Sequence, residues 1–77
     1  MNTRGTYLMF ERLKIIEDAI RDGNYPNTPD LQRKIEYSLG TKFSTATLAR
    51  DLEFLKVRKN CPIEYDKTQK GYFWNGK

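Results

Sequence analysis

The chain opens on a helical pattern. From Tyr7 to Asp22 the apolar residues Met9, Leu13, Ile16 and Ile20 recur at helical spacing, and Leu8, Phe10 and Ala19 widen the stripe. Gly23 follows as a stop, since glycine enters the left-handed region without a Cβ penalty. This predicts a first helix over about residues 6–22. Asn24-Tyr25-Pro26-Asn27 is turn chemistry. Thr28-Pro29-Asp30 then opens a second helix, with Thr28 as cap, Pro29 at the first helical position and Asp30 at the positive end of the dipole. Leu31, Ile35 and Leu39 give its buried stripe, and Gly40 ends it. After Thr41-Lys42-Phe43, Ser44 is the N-cap of a third helix running to about Lys59. Leu48, Leu52 and Leu55 form its core stripe, with Phe54 at the edge.

The period then changes. Pro62-Ile63-Glu64-Tyr65-Asp66 alternates apolar and polar residues as a half-buried strand does. Lys67-Thr68-Gln69-Lys70 is a polar tip, and Gly71-Tyr72-Phe73-Trp74 returns as an aromatic strand. The expected fold is mainly α with a small β-hairpin: a winged helix-turn-helix, three helices with a C-terminal wing. With 77 residues the chain makes one domain. Tyr65, Tyr72, Phe73 and Trp74 are expected mostly to pack the hairpin on helices one and three, because so small a domain needs that area. A base-stacking platform for single strands is the other use of such a strand.

Composition narrows the function. Hydrophobic residues are 38% and charged residues 31%, too apolar for a disordered tail and too polar for a membrane protein. Tyr7-Leu8-Met9-Phe10 is far short of a spanning segment, and no signal-peptide core follows Met1. A cytoplasmic protein is the default. Histidine is absent and Cys61 is the one cysteine, which excludes an intrachain disulfide and a Cys/His zinc site. Cys61 reads as a small filler residue in a linker. No phosphate-binding glycine loop or nucleophile elbow occurs. These absences argue against an enzyme, a metal or a cofactor, and towards a binding module.

Charge placement adds a partner. Residues 1–40 carry six bases and six acids, whereas residues 41–77 carry eight bases and four acids, so the net +4 lies wholly in the second half. One-sided positive charge is the footprint of a phosphate-binding surface. In a winged helix-turn-helix the third helix enters the DNA major groove and the hairpin reaches the adjacent backbone. The candidate contacts are Ser44, Thr45, Ala46, Thr47 and Arg50 on the helix, and Lys67 and Lys70 on the wing. Small and hydroxylic residues at a helix N-terminus let backbone amides approach phosphate. Arg50 can pair bidentately with phosphate or guanine, and the wing lysines act as mobile point charges. Plainer roles stand beside these: ordinary first-turn helix positions for Thr45 and Thr47, pairing of Arg50 with Asp51 or Glu53, and solubility for the lysines. Glu53 suits a DNA face only as an acceptor from cytosine, and otherwise points aside.

The stretches Tyr25-Pro26-Asn27-Thr28-Pro29-Asp30-Leu31, Ser44-x-x-Thr47-Leu48-x-Arg50-Asp51-Leu52-Glu53-Phe54-Leu55, Pro62-Ile63-Glu64-Tyr65-Asp66 and Gly71-Tyr72-Phe73-Trp74 together resemble the N-terminal winged helix-turn-helix of bacterial WYL-domain transcriptional regulators, the DeoR-like, type 11 group. The likeness covers nearly all of the chain after Phe10. It implies a DNA-binding domain of a repressor or activator that works as a dimer, with Ser44, Thr45, Thr47 and Arg50 on its recognition helix and Lys67 and Lys70 on its wing. Two features depart from the family. The span from Ile35 to Leu48 is longer than the family's, read here as an extra turn, Glu36 to Leu39, plus a longer connection. The WYL ligand-sensing domain does not follow, so the chain is expected to be either an excised N-terminal piece, the favoured reading, or a stand-alone short relative, with any effector on a domain absent from it. The residues themselves leave dimerisation open; helix one and the N-terminal segment are the candidate contact for a homodimer. The rival use of the fold is protein–protein docking, through an apolar patch of Phe54, Val57 and Trp74 on helix three and the wing.

Overall fold

The computed structural model describes residues 3–76, with side chains from Tyr7 onward. Its order is α1 (Thr3–Arg21), α2 (Thr28–Leu39), α3 (Thr45–Val57), β1 (Ile63–Asp66) and β2 (Gly71–Trp74). The strands form an antiparallel hairpin, with Ile63 opposite Trp74 and Asp66 opposite Gly71. Three helices followed by this hairpin make a winged helix-like fold. Among the described residues, no helix is long and apolar enough to cross a membrane.

The core is the meeting point of the predicted stripes. Leu13, Ile16, Ala19 and Ile20 from α1, Leu31 and Ile35 from α2, Leu48, Leu52 and Leu55 from α3 and Ile63 from β1 are buried in one cluster. Two positions differ from the pattern. Phe10 is 60% exposed, so the α1 stripe runs through Met9 and Leu13 and leaves Phe10 outside. Leu39 is only partly buried, because α2 ends there.

The helix ends follow local chemistry. α1 begins three residues earlier than its apolar stripe predicts and stops at Arg21, where Gly23 turns left-handed at φ 87°. The cap of α2 is Asn27, not Thr28. Asn27 Oδ1 accepts from the Asp30 amide at 2.9 Å while Asp30 Oδ2 accepts from the Asn27 amide at 3.0 Å, a reciprocal capping box. Asp30 is thus a box partner as well as a dipole charge. Gly40, at φ 71°, ends α2, and its amide donates to Glu36 O at 2.8 Å. α2 therefore runs through Glu36 to Leu39, and residues 40–44 connect it to α3. α3 ends at Val57, two residues before Lys59. Its last carbonyls are used by the amides of Arg58, Lys59 and Cys61 as the chain reverses through left-handed Asn60.

The hairpin is fastened chiefly to α1 and to the α1–α2 connection. The Tyr72 amide donates to Pro26 O at 2.8 Å, so the Tyr25–Pro26 segment lies along the free edge of β2. The rings of Tyr25 and Phe73 meet at 5.9 Å, and the Arg21 guanidinium lies 4.8 Å from the centre of the Trp74 ring. Tyr72 and Trp74 pack on the core, but Tyr65 is half exposed and touches Tyr72 edge-on at 5.2 Å. Cys61 also packs on the core. Burial pushes its thiol above the ordinary value, and the Glu17 carboxylate adds to the shift. The thiol is therefore held neutral near pH 7, as a filler residue requires.

Gly71 is required by this fastening. A Cβ built there would stand 1.8 Å from the Tyr25 carbonyl oxygen, and backbone cannot swing aside as a side chain can. Tyr25 itself sits at φ 52°, a conformation rare for a side-chain-bearing residue. Gly71→Ala is expected to destabilise the domain by about 1–3 kcal/mol through forced displacement of β2 from Pro26. Urea unfolding followed by Trp74 fluorescence measures this, and an unchanged midpoint contradicts the close approach.

Candidate nucleic-acid interface

The start of α3 is organised by Ser44. Its backbone is extended (φ −73°, ψ 161°), and its Oγ accepts from the Thr47 amide at 3.1 Å. The hydroxyls of Ser44 and Thr47 also lie 3.1 Å apart and share a hydrogen bond. Thr47 is half buried. Both side chains are thus engaged at the cap of the helix. The amides of Thr45 and Ala46, in the first turn, have no acceptor within the helix. Thr45, Ala46 and Ala49 are exposed and small, and the first turn carries no acid. These features leave the positive end of α3 open to an anion.

Arg50, Glu53, Lys56 and Val57 continue the exposed face. Arg50 forms no ion pair with Asp51 or Glu53; Asp51 points inward. Its carboxylate accepts two bonds from the Arg12 guanidinium, Nε to Oδ2 at 2.7 Å and a terminal nitrogen to Oδ1 at 3.1 Å. The Arg12 guanidinium also lies over the Phe43 ring, 4.7 Å from its centre. Gln32 Nε2 donates to Phe43 O at 3.0 Å and so ties α2 to the same connection. Arg12 therefore joins α1, the α2–α3 connection and α3, and fixes how far α3 projects. Sequence reading missed this pair. The available signal was the spacing: Asp51 falls between Leu48 and Leu55 on the stripe that must be buried.

The wing tip is shaped by Asp66, whose Oδ1 accepts from the Gln69 amide at 2.8 Å, and by left-handed Lys70 at φ 58°. Lys67 and Lys70 are exposed there. Below the tip, Asn75 Nδ2 donates to Glu64 Oε2 at 2.6 Å. Ser44, Thr45, Ala46, Thr47 and Arg50 thus share one helix, and Lys67 and Lys70 share the tip. Among the described residues, no hydrogen bond or ion pair joins the two groups.

The distribution of ion pairs separates the halves of the molecule. The four pairs among the described residues are Arg12–Asp51, Lys14–Asp18, Arg21–Glu17 and Arg33–Asp30. Every base in them belongs to α1 or α2. Lys42, Arg50, Lys56, Arg58, Lys59, Lys67 and Lys70 are all exposed, and none has an ion-pair partner among the described residues. Of the acids in the same half, Asp51 is taken by Arg12. The positive surplus is thus more one-sided in space than in composition.

Of the apolar patch named for protein docking, Phe54 and Val57 line one hollow on α3 together with Arg50, Glu53 and Arg58. Val57 is 64% exposed, but Phe54 and Trp74 are partly buried against the core. Comparison of the chain with protein-family models, curated proteins and solved structures finds no match.

Proposed function

We propose that this domain binds double-stranded DNA sequence-specifically, as the DNA-binding module of a bacterial transcription regulator of the WYL-associated kind. In this reading α3 lies in the major groove, with Ser44, Thr45, Ala46, Thr47 and Arg50 at its leading end, and Lys67 and Lys70 on the wing meet the neighbouring backbone. A cytoplasmic, nucleoid-associated location goes with the role. It needs no cofactor and no catalysis.

The observation that carries this reading is the set of exposed bases without ion-pair partners from Lys42 to Lys70, set against the paired bases of α1 and α2. Unpaired cations at an exposed helix face give up no local partner when they meet phosphate, and they displace condensed counterions from the duplex. Arg50 is the one long donor among Thr45, Ala46 and Ala49, so it reaches furthest towards a base edge. Ser44 and Thr47 act chiefly by holding the free amides in place.

Selection of random duplexes by the purified protein tests the proposal. An enriched motif is expected, and recovery without enrichment contradicts it. On the selected duplex, Arg50→Ala is expected to weaken binding by about 1–3 kcal/mol and to relax the preference at one base position. Unchanged affinity removes Arg50 from the contact surface.

A further inference from the structure

Where α1 and α3 meet, the molecule carries an apolar groove that contact with a phosphate backbone leaves unused. Three hollows converge there on Phe54, which lines all of them. The first runs along α3 to Val57, the second towards Met9 and Phe43, and the third across α1 to Phe10 and Leu13. Phe10 is 60% and Val57 64% exposed, so both ends of the groove offer apolar side chains that the core has not taken up.

The rim of the groove is basic. Arg50 and Arg58 line the hollow of Val57, and Lys59 lines that of Phe10. All three are exposed, and none has an ion-pair partner among the described residues. Of the acids in the three hollows, Asp51 is bound to Arg12 and Glu17 pairs with Arg21, which leaves Glu53 against three free cations. Lys14, in the third hollow, is already paired with Asp18.

The walls are two helices, whose backbone groups are bonded within each helix. A partner finds no open strand edge here and must satisfy its own backbone, as a helix does. A helix with apolar residues at i, i+3 or i+4, and i+7 lays one stripe along Phe10, Phe54 and Val57, and acids on its flanks meet the free cations. A second copy of this chain, at net +4, brings like charge instead.

We infer that the α1–α3 groove is a docking site for an acidic amphipathic helix of another protein. It shares Arg50 and Arg58 with the surface proposed for DNA, but stands on Phe10, Phe54 and Lys59 beside it.

Selection from a phage-displayed library of helix-forming peptides on the immobilised full chain tests this. No DNA is present, so the outcome is separate from that of the duplex selection. Enriched peptides are expected to carry Asp or Glu around apolar residues at i, i+3 or i+4, and i+7. A labelled synthetic peptide of the enriched sequence is then titrated by fluorescence polarisation. Phe10→Asp and Val57→Asp are each expected to weaken its binding at least tenfold, and Lys59→Glu several-fold. Both apolar positions are largely in solvent, so these substitutions spare the core, and circular dichroism melts check it. Tyr37→Asp, which makes the same charge change outside the groove, is expected to bind as the wild type does. Absence of enrichment, enrichment of peptides without acids, or wild-type binding by folded Phe10→Asp and Val57→Asp chains overturns the inference. An equal loss in Tyr37→Asp also overturns it, because binding then reflects general charge attraction.

Discussion

Asp51→Ala is expected to destabilise the domain by about 3–5 kcal/mol, the usual loss when one partner of a buried ion pair is removed. Asp51 is 3% exposed, and the Arg12 side chain that it neutralises is 12% exposed. Without the carboxylate, the largely buried guanidinium is left over the Phe43 ring without its anion. A domain of this length has a total stability of roughly 4–12 kcal/mol, so the variant loses about a quarter of it or more. Replacing both partners behaves differently. Arg12→Met combined with Asp51→Leu removes the stranded charge along with the pair and fills similar volume, and is expected to be neutral or stabilising. Urea denaturation of the wild type, the single variant and the double variant measures all three. A wild-type midpoint for Asp51→Ala contradicts the burial of the pair.

The same pair shows what was legible in the sequence. Leu13, Ile16, Ile20, Leu31, Ile35, Leu48, Leu52 and Leu55 announce themselves by periodicity, because a helix can bury only one stripe and the stripe must be apolar. Ser44 and Gly40 are legible because caps depend on backbone geometry that few residue types satisfy. Asn27 was obscured by Thr28, an equally good capping type one position later. The reciprocal bond with Asp30, three residues on, decides between them. Arg12 was not legible as a structural residue. A long cation on a helix surface looks solvated until the distant Asp51 and Phe43 are brought to it, and no local pattern reports a contact 39 residues away. Phe10 and Tyr65 erred the other way: aromatic identity predicts burial, but the core was already filled by neighbours.

The candidate site divides along the same line. The positive end of α3, the exposed Arg50 and the lysine-tipped wing were readable, since each follows from helix and hairpin geometry with the residue types present. The absence of partners for the described bases of the second half, against pairs for four bases of the first (Lys34 being left without one), was not. Ion pairing depends on which acids face which bases across packed helices. Composition counted Asp51 against the positive half, whereas the structure assigns it to Arg12.

The electrostatic claim predicts the largest change in binding. Lys42, Lys56, Arg58, Lys67 and Lys70 are exposed on or beside α3 and on the wing. If these five meet phosphates, the logarithm of duplex affinity falls with the logarithm of salt concentration at a slope of about −4.5. Raising salt from about 50 to 200 mM then weakens binding about 500-fold. Removing one contact lowers the slope by about one, so Lys67→Ala is expected near −3.6 with little change of sequence preference. The most direct measurement is a salt titration of the wild-type protein on its selected duplex by fluorescence polarisation. A slope close to −4.5 is the predicted result. A slope near zero, or binding at low salt that is indifferent to duplex, contradicts the account.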